Sequence, residues 1–402
     1  GWGELGNQNV AAFQYNSVIN VGSGYQPSLG YYTGYTFGGT GYNGAYITKN
    51  GNPDITWERA AMTNISLDAG FLNNALTTTI TYFNKNTNHM LVRTSEVGAV
   101  GTVTIPDKNI ANMNNHGIEV EVNYQGGDKL KYSIGANASF IKNKVTKLYG
   151  STGFLDGAAY GRSNQDISRT YEGQPIASFY GWKTDGLYQT QAAIDNDPAL
   201  KNDPRKASIK PGDVKFVDIN GDGVIDGSDR TYLGNPNPNV TGGIQTSLSY
   251  KGFDLSANFV GVFGVSLYNA DRMQGIDPTY PFNMYAETIN RWTGPGTSNT
   301  IPRMSSDRNN DNYRTSDLFI ESGNYFSLKN LTVGYSLPAF IAKKAAANSI
   351  RLYASCQNVF MITKYKGYTP ELGYTSGNLQ RGVDVAQYPS VRTFTFGLTV
   401  KL

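Results

Sequence analysis

Residues 392–402 read RTFTFGLTVKL and alternate apolar and polar side chains along their whole length. The apolar positions are Phe394, Phe396, Leu398, Val400 and Leu402. Successive side chains of a β-strand point to opposite faces of its sheet, so a period of two predicts a strand with one apolar and one polar face. The end of the chain is therefore predicted to be a two-faced strand.

The same alternation recurs in other parts of the chain. It is clear in GIEVEVNY (117–124), LKYSIGANASF (130–140) and FDLSANFVGVF (253–263). These runs reach about ten residues, whereas strands of globular proteins average about five or six. The fold is therefore predicted to be all-β and antiparallel, with unusually long strands.

The segments between the predicted strands differ in length at the two ends of the sheet. Short turns are predicted at Asn73–Asn74, 126–128 and Lys251–Gly252, where Asn and Gly tolerate the positive φ of tight hairpins. Long polar stretches lie near 143–178, 189–238 and 264–316. Short turns at one end and long loops at the other are typical of an outer-membrane β-barrel. A soluble sandwich or propeller remains the alternative, although no repeat of about 20–50 residues supports a propeller.

Composition excludes several classes of function. The 402 residues carry a net charge of +3 with 16 % charged residues, and no basic block is interleaved with aromatics, so nucleic acid is not expected as a partner. The single Cys356 precludes an internal disulfide and is predicted to be a packed strand residue. His89 and His116 are expected to be polar rim residues at or near strand ends, and no acid–base pair stands out, so no enzyme is predicted.

One polar segment, DINGDGVIDGSD at 218–229, has the spacing of a calcium-binding loop. Oxygen donors fall at positions 1, 3, 5, 7, 9 and 12 of such a loop, with a glycine at position 6. The predicted Ca²⁺ ligands are Asp218, Asn220, Asp222, the carbonyl of Val224, Asp226 and Asp229. Position 12 is usually Glu, and the shorter Asp229 requires a tighter loop or weaker binding. The alternative is an acidic loop rich in turns, and the flanking residues do not resemble helices.

The long stretches also contain large aromatic residues. Either they stack on sugar rings or they form the aromatic girdle of a membrane interface. The sequence does not distinguish these roles, and no substrate-binding residue is assigned. The residues concerned are Trp182, Tyr188, Tyr280, Trp292 and Tyr313.

Several long motifs, in the same order, make the chain resemble the SusC-like (SusC/RagA-type) TonB-dependent transporters. His116 departs from the family pattern, which more often has Arg there, and Leu402 stands where such barrels often end in Phe. The motifs are GELGNQNV (3–10), the segment from NPDITWERA to NHMLV (52–92), NMNNHGIEVEVNYQ (112–125), the segment from FVDINGDG to ANFVG (216–261), YFSLKNLTVGYSLP (325–338), IRLYASCQNVFMITKYKGYTPE (350–371) and SVRTFTFGLTVKL (390–402).

The resemblance implies a transmembrane antiparallel β-barrel of about 22 strands, of which residues 1–402 are the C-terminal half. The plug domain, the TonB-contacting segment and the N-terminal half of the barrel are then expected upstream of Gly1 or in a separate chain. The final strand, 391–402, is expected to pair with a strand from that upstream part.

The resemblance further implies a bacterial outer-membrane protein, surrounded by outer-membrane lipid. It would import an oligosaccharide, a glycan or peptide fragments with a SusD-like lipoprotein lid and energy from the TonB complex. The alternative is a surface-exposed or secreted calcium-binding adhesin without transport activity.

Overall fold

The computed structural model of the chain describes residues 1–7, 14–22, 25–26, 31–32, 34–93, 107–149, 153–161, 165–307, 310–372 and 379–402. Its main feature is one ten-stranded sheet in which the order of the strands equals their order along the chain. Every neighbouring pair is antiparallel, as the alternating runs predict. The strands are β1 Trp2–Asn7, β2 Glu58–Phe71, β3 Leu76–Arg93, β4 Asp107–Gly126, β5 Leu130–Leu148, β6 Val240–Tyr250, β7 Phe253–Phe263, β8 Tyr325–Ser336, β9 Ser349–Thr363 and β10 Thr393–Lys401.

The register of the sheet places the apolar side chains on one face. Residues directly opposite each other in neighbouring strands point to the same side, so apolar rows cross the sheet. This face stays exposed, with Phe396 at 80 %, whereas the other face carries mainly Thr, Ser, Asn and Glu. One apolar row consists of Leu398, Leu352, Tyr335, Phe253, Tyr250 and Leu130.

The turns at one end of the sheet are short, as predicted. Lys251 and Gly252 have φ values of 48° and 87° and form the two-residue connection between β6 and β7. Both central residues of this tight hairpin therefore have positive φ, which favours glycine at Gly252. The connections at the other end, such as 149–239 and 264–324, are far longer.

Three strands of the ten-stranded sheet are longer than the sequence pattern predicts. β3, β4 and β5 have 18, 20 and 19 residues, so 143–148 belongs to a strand and not to a loop. His116 lies near the middle of β4, and the prediction that it sits at or near a strand end was wrong. His89 lies near the end of β3, which closes at Arg93. Side-chain amides explain the extension, because Asn114 Nδ2 donates to Asn84 Oδ1 at 2.6 Å and Asn143 Nδ2 donates to Asn115 Oδ1 at 2.7 Å. These amides form hydrogen bonds between neighbouring strands beyond the last apolar residues of the alternating pattern.

The long connections around 149–239, 264–324 and 364–392 fold together into a second layer, called the cap below. Both hydrophobic clusters of the described chain lie in the cap, whereas most of the apolar face of the sheet is exposed. One cluster joins all three connections and consists of Ala158, Ile167, Phe179, Tyr268, Ala270, Met273, Ile276, Phe319 and Val383. A second cluster consists of Trp182, Leu187, Tyr188, Ile194, Leu200, Val214, Phe216 and Ile225.

The elements outside the sheet are short. No helix in the described ranges is long and apolar enough to cross a membrane. The helices are α1 Gln191–Asp195, α2 Ala270–Ile276 and α3 Ala339–Lys344, with 3₁₀ turns at Pro198–Leu200, Lys206–Ser208, Gly227–Asp229, Ala286–Asn290, Asp311–Tyr313 and Asp317–Phe319. The minor strands are Val18–Gly22, Tyr25–Gln26, Tyr31–Tyr32, Gly34–Phe37, Thr40–Lys49, Phe154–Asp156, Ala159–Tyr160, Gln165–Asp166, Arg169–Tyr171, Phe179–Trp182, Thr184–Leu187, Val214–Phe216, Arg230–Gly234, Ser266–Asn269, Ile320–Ser322 and Val383–Asp384.

Candidate functional site in the cap

The acidic loop at 218–229 lies in the cap, in the connection between β5 and β6. It follows the strand Val214–Phe216 and precedes the strand Arg230–Gly234, so its flanks are strands and not helices, as the sequence indicates. Its last residues form the 3₁₀ turn Gly227–Asp229. The loop therefore has the spacing of a calcium-binding loop but is flanked by β-strands.

The carboxylates of the loop organise its backbone. Asp218 accepts hydrogen bonds from the amides of Gly221 at 2.7 Å and Gly223 at 2.8 Å. Asp229, whose side chain is fully buried, accepts from the amides of Ile219 at 2.9 Å and Asp226 at 2.8 Å, which closes the loop. Gly221 and Gly223 have φ values of 77° and 81°, a conformation that favours glycine. The spacing of Asp, Asn and Gly thus folds a compact loop through local hydrogen bonds.

The donor set of the loop fits a hard cation such as Ca²⁺, because all six predicted ligands offer oxygen. The Val224 carbonyl receives no donor from any described residue, and no Lys or Arg of the described ranges forms a salt bridge with the four carboxylates. The acidic side chains are nevertheless spread along the loop. Nowhere in the described ranges do three His, Cys, Asp or Glu side chains gather as a metal site. The structure therefore brings the predicted ligands into one loop but not around one point.

The carbonyl groups of the acidic loop are held by the rest of the cap. Trp182 Nε1 donates to the Asp226 carbonyl at 2.7 Å, and Asn202 Nδ2 donates to the Asp222 carbonyl at 2.8 Å. The Arg205 guanidinium donates to the Ile225 carbonyl. Of the three residues only Ile225 is buried, and its carbonyl needs such a partner. Together the three contacts fix the position of the loop on the second hydrophobic cluster.

Arg205 connects the acidic loop to two other carboxylates. Its guanidinium pairs with Asp203 at 2.8 Å and with Asp311 at 2.7 Å, across two different connections. Burial alone raises the pKa of the Asp203 carboxyl, but hydrogen bonds from the Arg205 side chain and from the amides of Arg205 and Ile225, with the Arg205 charge, outweigh it, so the net pKa is lowered. Asp203 is thus held ionised inside the cap.

Arg314 is the most buried cation at this site. Its guanidinium lies 4.2 Å from the ring centre of Trp182 and 3.8 Å from that of Phe216, a cation–π arrangement. Burial lowers the pKa of Arg314 to about 10, although the charge of Asp311, 3.6 Å away, opposes this effect. Its Nε has no acceptor among the described residues. Arg314 therefore stays charged at neutral pH with incomplete hydrogen bonding.

Two cavities adjoin Arg314. One of about 270 Å³ is lined by Tyr160, Tyr280 and Tyr313 together with Asp311 and Arg314. The other, of about 190 Å³, shares Asp311 and Arg314 and is also lined by polar side chains such as Asp203 and Arg205 and by residues of the second hydrophobic cluster. A mixture of aromatic rings, carboxylates and a guanidinium supplies both stacking surfaces and hydrogen-bonding groups.

Most of the large aromatic residues of the long connections have a third role, because they pack in or against the hydrophobic clusters of the cap. Trp182 and Tyr188 belong to the core of the cap, and Trp292 and Tyr313 pack against its two clusters. Tyr280 stacks on Phe282 and lines the larger cavity. None of the five lies on the apolar face of the sheet. The sequence offered no signal for Arg205 and Arg314, whose importance comes from contacts between distant segments.

Comparisons with known proteins agree on the family. A family model described as TonB dependent receptor-like, beta-barrel matches residues 14–359. TonB-dependent receptor P3 of Formosa agariphila is 31 % identical over 368 residues, covering 89 % of this chain and 36 % of the relative. TonB-dependent receptor SusC of Bacteroides thetaiotaomicron is 27 % identical over 410 residues, covering 100 % of this chain and 37 % of the relative.

A solved structure described as the RagAB peptide transporter has the same fold. It superposes with a TM-score of 0.76 at 22 % identity and covers 99 % of this chain and 40 % of that chain. At this level of identity the likeness concerns the fold alone. The chain therefore spans between 36 % and 40 % of the length of these relatives.

Proposed function

Because the chain belongs to the TonB-dependent receptor-like β-barrel family, we propose that it forms part of the wall and cap of a transporter that imports a nutrient across the bacterial outer membrane. The chain is located in the bacterial outer membrane. The observation that carries the proposal is the ten-stranded sheet, with an exposed apolar face and a polar face. Such a sheet suits lipid on one side and a polar lumen on the other.

The wall needs further strands to close. Among the described strands, β1 and β10 each have one neighbour in the sheet. Unpaired backbone groups in hydrocarbon cost several kcal/mol each, so open edges do not occur there. The complete protein would therefore supply the N-terminal part of the barrel, with its plug and TonB-contacting segment.

The proposed activity is transport and not catalysis. Energy would come from the TonB complex, and the substrate would be an oligosaccharide, a glycan or a peptide fragment. Support for a peptide comes from the name of the RagAB relative. A SusD-like surface lipoprotein would cover the lumen, resting on the cap, whose own hydrophobic clusters make it a firm platform.

The acidic loop at 218–229 is proposed to bind Ca²⁺ as a structural ion. The supporting observations are its oxygen donors, the free Val224 carbonyl and four carboxylates without described salt bridges. Small rotations of Asp218, Asn220, Asp222, Asp226 and Asp229 would be needed to bring their oxygens together. The ion would offset the repulsion between these carboxylates and rigidify the cap.

The decisive experiment compares uptake by cells that carry or lack the gene. Labelled oligosaccharides and peptides of defined size are supplied separately, with and without a protonophore that removes the energy for TonB. We expect uptake of one class to require both the gene and the energy. Unchanged uptake together with lost adhesion to a surface would instead favour the adhesin.

The lid is tested by affinity purification from detergent-solubilised outer membranes. We expect a surface lipoprotein to co-purify with the full-length protein in a stable ratio. A monodisperse transporter without such a companion, from cells that express the neighbouring genes, would contradict this part of the proposal.

A further inference from the structure

The apolar face of the sheet ends abruptly on the side of the long connections. Its last apolar row across β2–β5 consists of Ile65, Tyr82, Ile118 and Phe140, all exposed. The register sets these four side chains opposite one another on one face. This row therefore marks the border of the lipid-facing belt.

The two rows directly beyond this border are polar except at Ala61. The first consists of Thr63, Asn84, His116 and Lys142, and the second consists of Ala61, Asn86, Asn114 and Lys144. Both rows point to the same side as the apolar belt, because the register is unbroken between them. The chemistry of this face thus changes within one step of two residues, as at a membrane–water interface.

Lys142 and Lys144 are the charged residues of these two rows. Both are exposed, and neither forms a salt bridge with any carboxylate of the described ranges. The neighbouring amides are engaged with one another, since Asn114 Nδ2 donates to Asn84 and Asn86 at 2.6 Å and 2.8 Å. The backbone positions of the two lysines are about 7 Å apart along the strand, and both side chains leave the same face, so their like charges repel each other.

We propose that Lys142 and Lys144 bind phosphate groups of outer-leaflet lipid. Their position directly beyond the belt matches the height of lipid headgroups, and long lysine side chains extend readily into that layer. Anionic headgroups would neutralise the unpaired charges, while His116 and the amide rows supply further polar contacts. The inference rests on the proposed function, in which the long connections form the cap that carries the surface lipoprotein and therefore lie outside the cell.

The experiment uses the full-length protein, purified from outer membranes in a mild detergent and stripped of bound lipid. Native mass spectrometry then counts bound molecules of a diphosphorylated glycolipid, lipid A. The test variant is Lys142→Gln with Lys144→Gln. The matched control is Lys129→Gln with Lys251→Gln, which removes two exposed lysines at the other rim of the sheet.

We expect affinity to fall about fivefold for each test lysine, or about 25-fold for both, from the usual contribution of a basic residue at a lipid surface. The control should stay within about twofold, and dephosphorylated lipid A should bind weakly to every form. Heat-dependent migration on a denaturing gel verifies that each variant is folded.

Equal binding by the test variant and the wild type would overturn the inference, as would equal binding of dephosphorylated lipid. Displacement of lipid A by millimolar inorganic phosphate would show a site for free phosphate and would also overturn the lipid assignment. Uptake is measured in the same variants, so failed transport and failed lipid binding appear as separate results.

Discussion

The indole Nε1 of Trp182 donates a 2.7 Å hydrogen bond to the carbonyl oxygen of Asp226. This bond joins the core of the cap to the acidic loop across 44 residues of sequence. The guanidinium groups of Arg230 and Arg314 lie 5.0 Å and 4.2 Å from the centre of the same indole ring. Trp182 therefore couples the predicted calcium loop to the cavities beside Arg314.

Replacing Trp182 by Phe should loosen the acidic loop. An aromatic ring remains, but the Asp226 carbonyl loses its donor, and a typical hydrogen bond contributes about 0.5–1.5 kcal/mol. We expect faster amide hydrogen exchange in 218–229, with the wall strands unchanged. Trp57→Phe, at a 60 % exposed position, is the control and should leave the exchange of the loop as it is. Unchanged protection of the loop in Trp182→Phe would contradict the coupling.

Calcium should slow amide exchange in 218–229. At a concentration of ~100 times Kd, binding stabilises the native loop by about 2.7 kcal/mol, or roughly 100-fold in exchange rate. Asp218→Asn and Asp222→Asn should each weaken binding by about tenfold or more, because affinity depends on the number of charged ligands. Asp195→Asn, an exposed acid of the same connection, is the control. A titration without heat or change in exchange would refute the calcium site.

Asp203 should make the cap sensitive to acid. Its folded pKa is lowered below the usual value, so its contribution is present above about pH 4 and is lost as pH falls through the folded pKa. Asp203→Asn should destabilise the cap by about 1.5–3 kcal/mol at neutral pH, where it removes charge-assisted hydrogen bonds. Near-ultraviolet circular dichroism during heating should show the gap between variant and wild type narrowing in acid. A constant gap would argue against this role.

A new charge should impair assembly when it lies on the apolar face of β8 but should be tolerated on the polar face. Val333→Lys places an ammonium on the apolar face and should impair assembly by up to about 2–4 kcal/mol, depending on depth in the bilayer. Thr332→Lys, the adjacent residue on the polar face, should be tolerated. Folding yield in lipid vesicles measures both variants. Equal yields would show that the apolar face does not meet lipid.

The position of Gly181 should not tolerate even the methyl group of alanine. A Cβ there would lie 2.4 Å from the carbonyl oxygen of Thr315, where the β5–β6 and β7–β8 connections meet. Gly181→Ala is expected to destabilise the cap by about 1–3 kcal/mol through overpacking. Gly294→Ala, where a Cβ meets nothing within 4 Å, is the control. Thermal unfolding of the cap compares the two, and equal midpoints would contradict the tight approach.

Local sequence patterns were sufficient to predict the two-faced strands, their tight turns and the turn-rich backbone of the acidic loop. These features depend on local rules, namely the alternation of side chains and hydrogen bonds between residues a few positions apart. The φ values of Lys251 and Gly252 and the amide bonds to Asp218 follow from those rules. Family membership was also predicted from the sequence, because several long motifs occur in the order typical of the family.

The strand lengths, the core of the cap and the roles of Trp182, Arg205 and Arg314 became visible only in the folded chain. Asparagine-rich segments carry no apolar alternation, so their pairing in β3–β5 depends on partners in neighbouring strands. The cap is joined by contacts such as that of Thr184 with Asp317, 133 residues apart in the chain. No local pattern encodes such pairs, because burial and hydrogen bonding there arise only when distant connections pack together.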